Sequence, residues 1–172
     1  MRKIHYAVAM SLDGYIAGPN GGADWIVIDP EINFGELWAQ FDTLLMGRRT
    51  YEAAITRLGK TQIHKLKTFV VSRTLRQADY PEVTILPELS RDWMQTLRMQ
   101  SGKDVWLLGG GELFRYLLEM GEVDTVDVSI VPVLLGGGTA LLPPPAQQRR
   151  LKLFSHKVYP SGLTSLIYEV QR

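Results

Sequence analysis

From Ile4 to Met10, the apolar side chains Ile4, Tyr6, Val8 and Met10 alternate with their neighbours until Asp13-Gly14. A period of two predicts a strand over 4–11 that ends in a turn. The Gly-rich stretch 17–23 then reads as a flexible loop. Between Pro30 and Phe41 the spacing changes, and Ile32, Phe34, Leu37, Trp38 and Phe41 recur at helical intervals. This predicts a helix over 30–41 with Pro30 in its first turn. The run Thr43 to Met46 predicts a strand that stops at Gly47, where Arg48-Arg49-Thr50-Tyr51 opens another helix.

Thr68 to Ser72 and Val83 to Leu86 predict further strands, and Ser90 is placed to cap a helix carrying Trp93, Met94 and Leu97. Asp104 to Leu108 is a buried-type strand running directly into Gly109-Gly110-Gly111. Beyond the glycines, Leu113, Phe114, Leu117 and Leu118 share one face of a helix over 112–120, which Gly121 can end in a left-handed conformation. A long strand over 123–133 follows, then breaks at Gly136-Gly137-Gly138 and Pro143-Pro144-Pro145. Two last strands, 150–159 and 163–170, are joined at Pro160-Ser161-Gly162 as a hairpin. Strands alternating with helices imply an α/β fold in three layers: a mostly parallel sheet with helices on both faces, completed by the antiparallel C-terminal hairpin.

The length of 172 residues fits one domain spanning 1–172, and no repeat or linker divides it. An apolar fraction of 45% with 22% charged residues is that of a globular chain, not a disordered one, and no apolar run reaches membrane-spanning length. A net charge of +1 provides no field for gripping nucleic acid. The absence of cysteine removes disulfides, thiol nucleophiles and cysteine metal sites, and fits a cytoplasmic location. Gly59-Lys60-Thr61 resembles the end of a P-loop, but Ala54 stands where its first glycine is required. His5, His64 and His156 lack the spacing of metal ligands, and the Gly-x-Ser-x-Gly elbow of serine hydrolases is absent.

What remains is a set of anion-binding strand ends. A strand entering a helix through glycines presents free backbone N–H groups at the positive end of the helix dipole, with no side chain in the way of a pyrophosphate. Gly109-Gly110-Gly111 is one such junction, although a tight turn packing helix on strand would give the same pattern, and Phe114 stands where the dinucleotide fingerprint has its last glycine. Gly47-Arg48-Arg49-Thr50 is a second, and Ser72-Arg73-Thr74 a third. Guanidinium groups beside these ends suit a ligand carrying a pyrophosphate and a further phosphate, the charge layout of NADPH.

The order of motifs resembles the dihydrofolate reductase family, and particularly the reductase domain of riboflavin biosynthesis and its stand-alone relatives. The resemblance rests on segments 9–18, 45–52, 70–73, 107–113 and 131–138, and covers nearly the whole chain. It implies that Ala9 and Ile16 border the nicotinamide of NADPH, that Gly47, Arg48, Arg49 and Thr50 meet the phosphates, and that Ser72 and Arg73 recognise the 2′-phosphate. It implies that Leu108, Gly109, Gly110, Gly111, Glu112 and Leu113 carry the pyrophosphate, and that segment 17–24 closes over the nicotinamide. It places Trp25, Phe114, Ser129 and Thr139 at the substrate.

In the folate enzymes a buried carboxylate at the start of the first helix assists protonation; Asp29 and Glu31 are the candidates here, and spacing does not choose between them. Phe114 stands where a tyrosine is common, and no deaminase segment is fused. The implied activity is NADPH-dependent reduction of a small heterocycle, pteridine or ribosylaminopyrimidine-like, or of a carbonyl compound. A module that binds NADP(H) without turnover is the alternative. A homodimer is expected, with 126–135 as an exposed interface strand.

Overall fold

The computed structural model describes residues 1–171. Strand β1 (Ile4–Ser11) is followed by the short β2 (Tyr15–Ala17), α1 (Phe34–Ala39), β3 (Phe41–Gly47), α2 (Arg48–Leu58) and α3 (Lys60–Ile63). Then come β4 (Lys67–Val71), a single 3-10 turn over Gln77–Asp79, β5 (Thr84–Leu86), α4 (Arg91–Met99), β6 (Asp104–Gly109) and α5 (Gly111–Glu119). The chain finishes with β7 (Thr125–Val131), β8 (Thr139–Ala140), β9 (Leu151–Val158) and β10 (Thr164–Val170).

The main sheet has eight strands in the order β5-β4-β3-β6-β1-β7-β10-β9. Every pairing from β5 through β7 is parallel, and β10 joins β7 and β9 antiparallel. Strand alternation divides the core into two layers. Ile4, Tyr6, Leu45 and Leu107 pack with Met94, Leu97, Phe114 and Leu117 of α4 and α5. Ala7, Leu44, Met46 and Val70 face the other way, toward Tyr51, Ala54 and Ile63 of α2 and α3, with Trp38 of α1 at the margin. The predicted mixed sheet, the helices on both faces and the closing hairpin are all present.

Several expectations are corrected. The helix expected over 30–41 is only Phe34–Ala39, because local side-chain bonds divert its start. Asp29 Oδ1 accepts the Glu31 N–H (2.8 Å), turning the chain before the helix, and Asn33 rather than Pro30 sets the entry by accepting from Glu36 N–H (3.1 Å). Ser72-Arg73-Thr74 is a turn rather than a strand-to-helix junction: Ser72 Oγ accepts from the N–H groups of Thr74 and Leu75, at 3.2 and 3.1 Å. The strand expected to be an exposed interface is β7, which lies between β1 and β10 with Val126, Val128 and Val131 buried. Of the two edge strands, β5 and β9, the longer is β9, where Phe154 is 70% and Val158 66% exposed. Helix α3 and the two-stranded β2–β8 ribbon were not foreseen.

Gly121 ends α5 at φ +77°, and the following Glu122 N–H returns to Leu117 O at 2.9 Å. At the N-terminal edge of the sheet, buried Arg98 bonds Glu122 (2.8 Å) and Asp124 (2.7 Å), and Arg2 pairs with Asp42 and Thr43. The opposite edge, where the parallel strands all end, is built by backbone and loops.

Candidate functional site

Because β3, β4 and β6 are parallel neighbours, their C-terminal ends lie side by side: Gly47 is in register with Val71, and Met46 with Gly109. Helix α2 starts directly from Gly47 and α5 directly from Gly110, and neither cap residue supplies a side-chain hydrogen bond. Their first-turn N–H groups are therefore left for a ligand. The two junctions also touch, since a Cβ placed on Gly110 would lie 3.4 Å from Thr50 Oγ1. The Gly109–Gly110 peptide is cis, and Gly109 has φ +117°.

Gly111 is different. The space its Cβ would need is filled by Ala140 O at 2.6 Å and Pro143 Cδ at 2.8 Å, so packing of segment 140–143 requires this glycine.

Three guanidinium groups stand along this edge. Arg48 is in loose contact with Glu52 at 4.0 Å, while Arg49 and Arg73 are exposed and have no ion pair or hydrogen bond among the described residues. Ser72 is 8% exposed and its oxygen is taken up by its own turn. Glu112 pairs with Arg115 at 2.6 Å, and Leu108 and Leu113 are half-buried against opposite core layers.

On the other side of the edge, Ala9 of β1 is in register with Ser129 of β7, which in turn opposes Ser165 of β10. Paired residues share a face, so these three form one half-buried row. Ile16 lies on β2, and Thr139 is exposed on β8 opposite Ala17. The Gly-rich loop is folded onto itself through Gly18–Gly22 bonds. Trp25 Nε1 donates to Gly22 O at 3.1 Å, and Arg57 of α2 donates to Ala23 O. Phe114, placed at the substrate by resemblance, instead lies in the core at 3% exposure, stacked on Tyr6 with centroids 3.8 Å apart.

The two helix-start carboxylates separate clearly. Asp29 is 2% exposed and clasps the β9–β10 turn: Oδ2 accepts from Ser161 N–H (3.0 Å) while Oδ1 holds the Glu31 N–H. Bonding from Ser161 and the Glu31 N–H, with Lys157 nearby, holds its pKa below the usual carboxylate range. Glu31 is exposed. Asp29 thus clasps the loop before α1 to the β9–β10 turn.

Sequence reasoning missed a second clasp. Asp13 accepts from the Ser11 hydroxyl (2.6 Å) and from the N–H groups of Leu135 and Gly136, and these bonds, the hydroxyl foremost, hold its pKa at about 2. It also missed His5, whose Nε2 is 3.1 Å from Asp104 and whose Nδ1 is 2.9 Å from Thr125 and 3.5 Å from Asp127. The alternation that marks β1 carries no sign of these partners on neighbouring strands.

Among known proteins, YyaP of Bacillus subtilis (strain 168), itself uncharacterized, is 32% identical over 178 residues, covering 97% of this chain and 94% of its own. A protein from Shewanella sp. PV-4, proposed to belong to riboflavin biosynthesis, superposes with a TM-score of 0.83 at 26% identity, covering 100% of both chains. The diaminohydroxyphosphoribosylaminopyrimidine deaminase/5-amino-6-(5-phosphoribosylamino)uracil reductase of Thermotoga maritima shares the fold, with a TM-score of 0.72 at 15% identity over 99% of this chain and 57% of that one. Residues 2–165 match the RibD C-terminal domain, and the chain belongs to that family.

Proposed function

We propose that this protein is an NADPH-dependent reductase that transfers a hydride to a small heterocycle, pteridine or ribosylaminopyrimidine-like, or to a carbonyl compound. The observation that carries the reading is the meeting of two uncapped helix starts at Gly110 and Thr50, beside the unpaired Arg49 and Arg73. That donor set fits a pyrophosphate flanked by a further phosphate. NADPH supplies the hydride when bound. The chain's own part is to hold the pyrophosphate on Gly109, Gly110 and the first turns of α2 and α5, with Arg48, Arg49 and Thr50 on its oxygens. Ser72 and Arg73 take the 2′-phosphate, while Ala9 and Ile16 border the nicotinamide. Trp25, Ser129 and Thr139 bound the acceptor. Membership of the family and the neighbours' reductase names support a reductase, and the rest is our reading.

Thermal stabilisation by NADPH and NADH tests it. NADPH stabilises more strongly, and Arg73→Ala weakens NADPH on the order of 10- to 100-fold with little change for NADH, since a charge-assisted phosphate bond is lost. Equal losses for both nucleotides would remove the 2′-phosphate assignment.

One observation favours a second reading, an NADP(H)-binding module without turnover: of the two helix-start carboxylates, Asp29 is engaged as an acceptor by two backbone N–H groups and Glu31 is exposed. Loss of nicotinamide absorbance in the presence of dihydrofolate or the ribosylaminopyrimidine separates the two. We place the protein in the cytoplasm; no described helix is long and apolar enough to cross a membrane. A homodimer is retained, with the exposed edge of β9 in place of β7.

A further inference from the structure

The carboxylates around the acceptor side are nearly all spoken for. Asp13 and Asp29 each hold backbone N–H groups as ionised acceptors, and Glu31 is exposed on its loop. Asp127 is the exception. It lies on β7 in register with Ala7 and Ile167, on the same face as Ser129 and one side-chain step, ~7 Å, along the strand. Its Oδ1 is buried without a hydrogen-bond partner among the described residues, while Oδ2 faces His5 Nδ1 at 3.5 Å. An unpaired buried carboxylate oxygen is costly, and such a group is a candidate for proton transfer or for a ligand's donor.

Behind Asp127 a path leads outward. His5 Nε2 is 3.1 Å from Asp104, whose side chain is 37% exposed, against 16% for His5 and 19% for Asp127. The imidazole thus bridges β6 and β7, held by Thr125 Oγ1 at 2.9 Å and edge-on against Phe41 of β3. Trp106 of β6 is level with His5, and Glu169 of β10 is level with Thr125 on the same face. Burial lowers the pKa of His5, but the bonds and charges of Asp127 and Asp104 outweigh it, and the net direction is upward.

We propose that Asp127 is the proton donor of the acceptor side and is recharged from solvent through His5 and Asp104; the proposal rests on the reductase reading. Reduction of a C=N acceptor consumes a hydride, which becomes the new C–H bond as the nicotinamide is oxidised. It also consumes a proton, which becomes the new N–H bond as the C=N π pair moves onto nitrogen. That proton passes through the Asp127 carboxylate from Nδ1 of doubly protonated His5, which leaves Asp127 a carboxylate again and the imidazole neutral with its proton on Nε2 beside Asp104. The ring regains its second proton from water on the Asp104 side and flips to present it to Asp127 before the next turnover.

Asp127→Asn, Asp127→Glu and His5→Gln, each checked by thermal melt, test the relay with NADPH and 7,8-dihydrofolate as probes. In Asp127→Asn we expect kcat to fall on the order of 10²-fold with KM for NADPH unchanged and the pH dependence of kcat altered, and Asp127→Glu to recover part of the loss. His5→Gln moves the pH profile toward acid. A profile for Asp127→Asn that overlays that of the unaltered protein overturns the proposal. The His5 ring titration, followed by NMR, is a readout free of turnover: its pKa falls in Asp127→Asn, and an unchanged titration overturns the relay. Failure of NADPH to bind the unaltered protein overturns the reductase reading instead, and the ring titration then decides the relay alone.

Discussion

The two sides of the sheet's C-terminal edge are built on different principles. The side proposed for the nucleotide is made of backbone: helix starts at Gly47 and Gly110 follow their strands without a break, and the polar groups they offer are main-chain N–H. The side proposed for the acceptor is made of side chains that reach across the chain. Asp13 ties the β1–β2 turn to Leu135 and Gly136, and Asp29 ties the loop before α1 to Ser161. A backbone site is fixed once the sheet forms, whereas a clasped site depends on each clasp. The acceptor side is therefore where substitutions should remodel the molecule most.

Gly138→Ala is the sharpest attempt to break that contrast. Gly138 has φ +131°, and a Cβ there would overlap Ala17 O and crowd Gly18, where the end of β2 meets the start of β8. Both the backbone conformation and the space forbid a side chain, so urea unfolding should show a loss on the order of 3 kcal/mol or more. NADPH affinity of the molecules that remain folded should fall less than in Gly111→Ala, because only the nicotinamide end of the proposed site adjoins Ala17. Gly111→Ala makes the same test on the nucleotide side. There the backbone is ordinary and only contacts at 2.6 and 2.8 Å must yield, so roughly 1–3 kcal/mol is expected, accompanied by weaker nucleotide binding. Equal stability losses, or a loss of NADPH binding confined to Gly138→Ala, would mean that the two sides are not separable.

The same contrast explains what could be read from the chain alone. Strand ends and helix starts at 47–50 and 109–111 are contiguous in sequence, so glycine placement and a change of hydrophobic period reveal them. The layers and the closing hairpin were legible for the same reason. The bonds from Asp29 to Ser161 and from Asp13 to Gly136 span 132 and 123 positions, and nothing in the flanking residues shows that either carboxylate already has distant partners. The overlong first helix is a local version of the same blindness: apolar spacing continued through Pro30 and Ile32, but Asp29 and Asn33 captured the backbone first. The strand placed at an interface failed because β10, late in the chain, covers it.

Asp29→Ala sharpens the comparison by pH. The Asp29 carboxyl is held below its ordinary value of about 4, so its contribution to stability is present above that value and is lost as pH falls through the lower folded value. The variant should melt below the unaltered protein at neutral pH, by less than Gly138→Ala, and the two melting temperatures should converge in acid. A gap that persists at the lowest pH would assign the effect to lost packing around the 160–162 turn, not to the charge.

Tyr6→Phe is the smallest effect and bears on the nucleotide side. The Tyr6 hydroxyl is buried with no hydrogen-bond partner among the described residues, and burial pushes its pKa upward. The ring stacks on Phe114 and its edge lies 3.7 Å from where a Gly109 Cβ would be, so phenylalanine keeps those contacts and discards only the unpaired oxygen. If main-chain groups alone serve the nucleotide, removing that oxygen should raise stability by about 1 kcal/mol and leave NADPH affinity unchanged. A loss of stability would mean that water satisfies the hydroxyl beneath Gly109. A loss of affinity would mean that a core side chain helps to set the glycine turn, and the backbone-built side would then depend on a side chain as the acceptor side does.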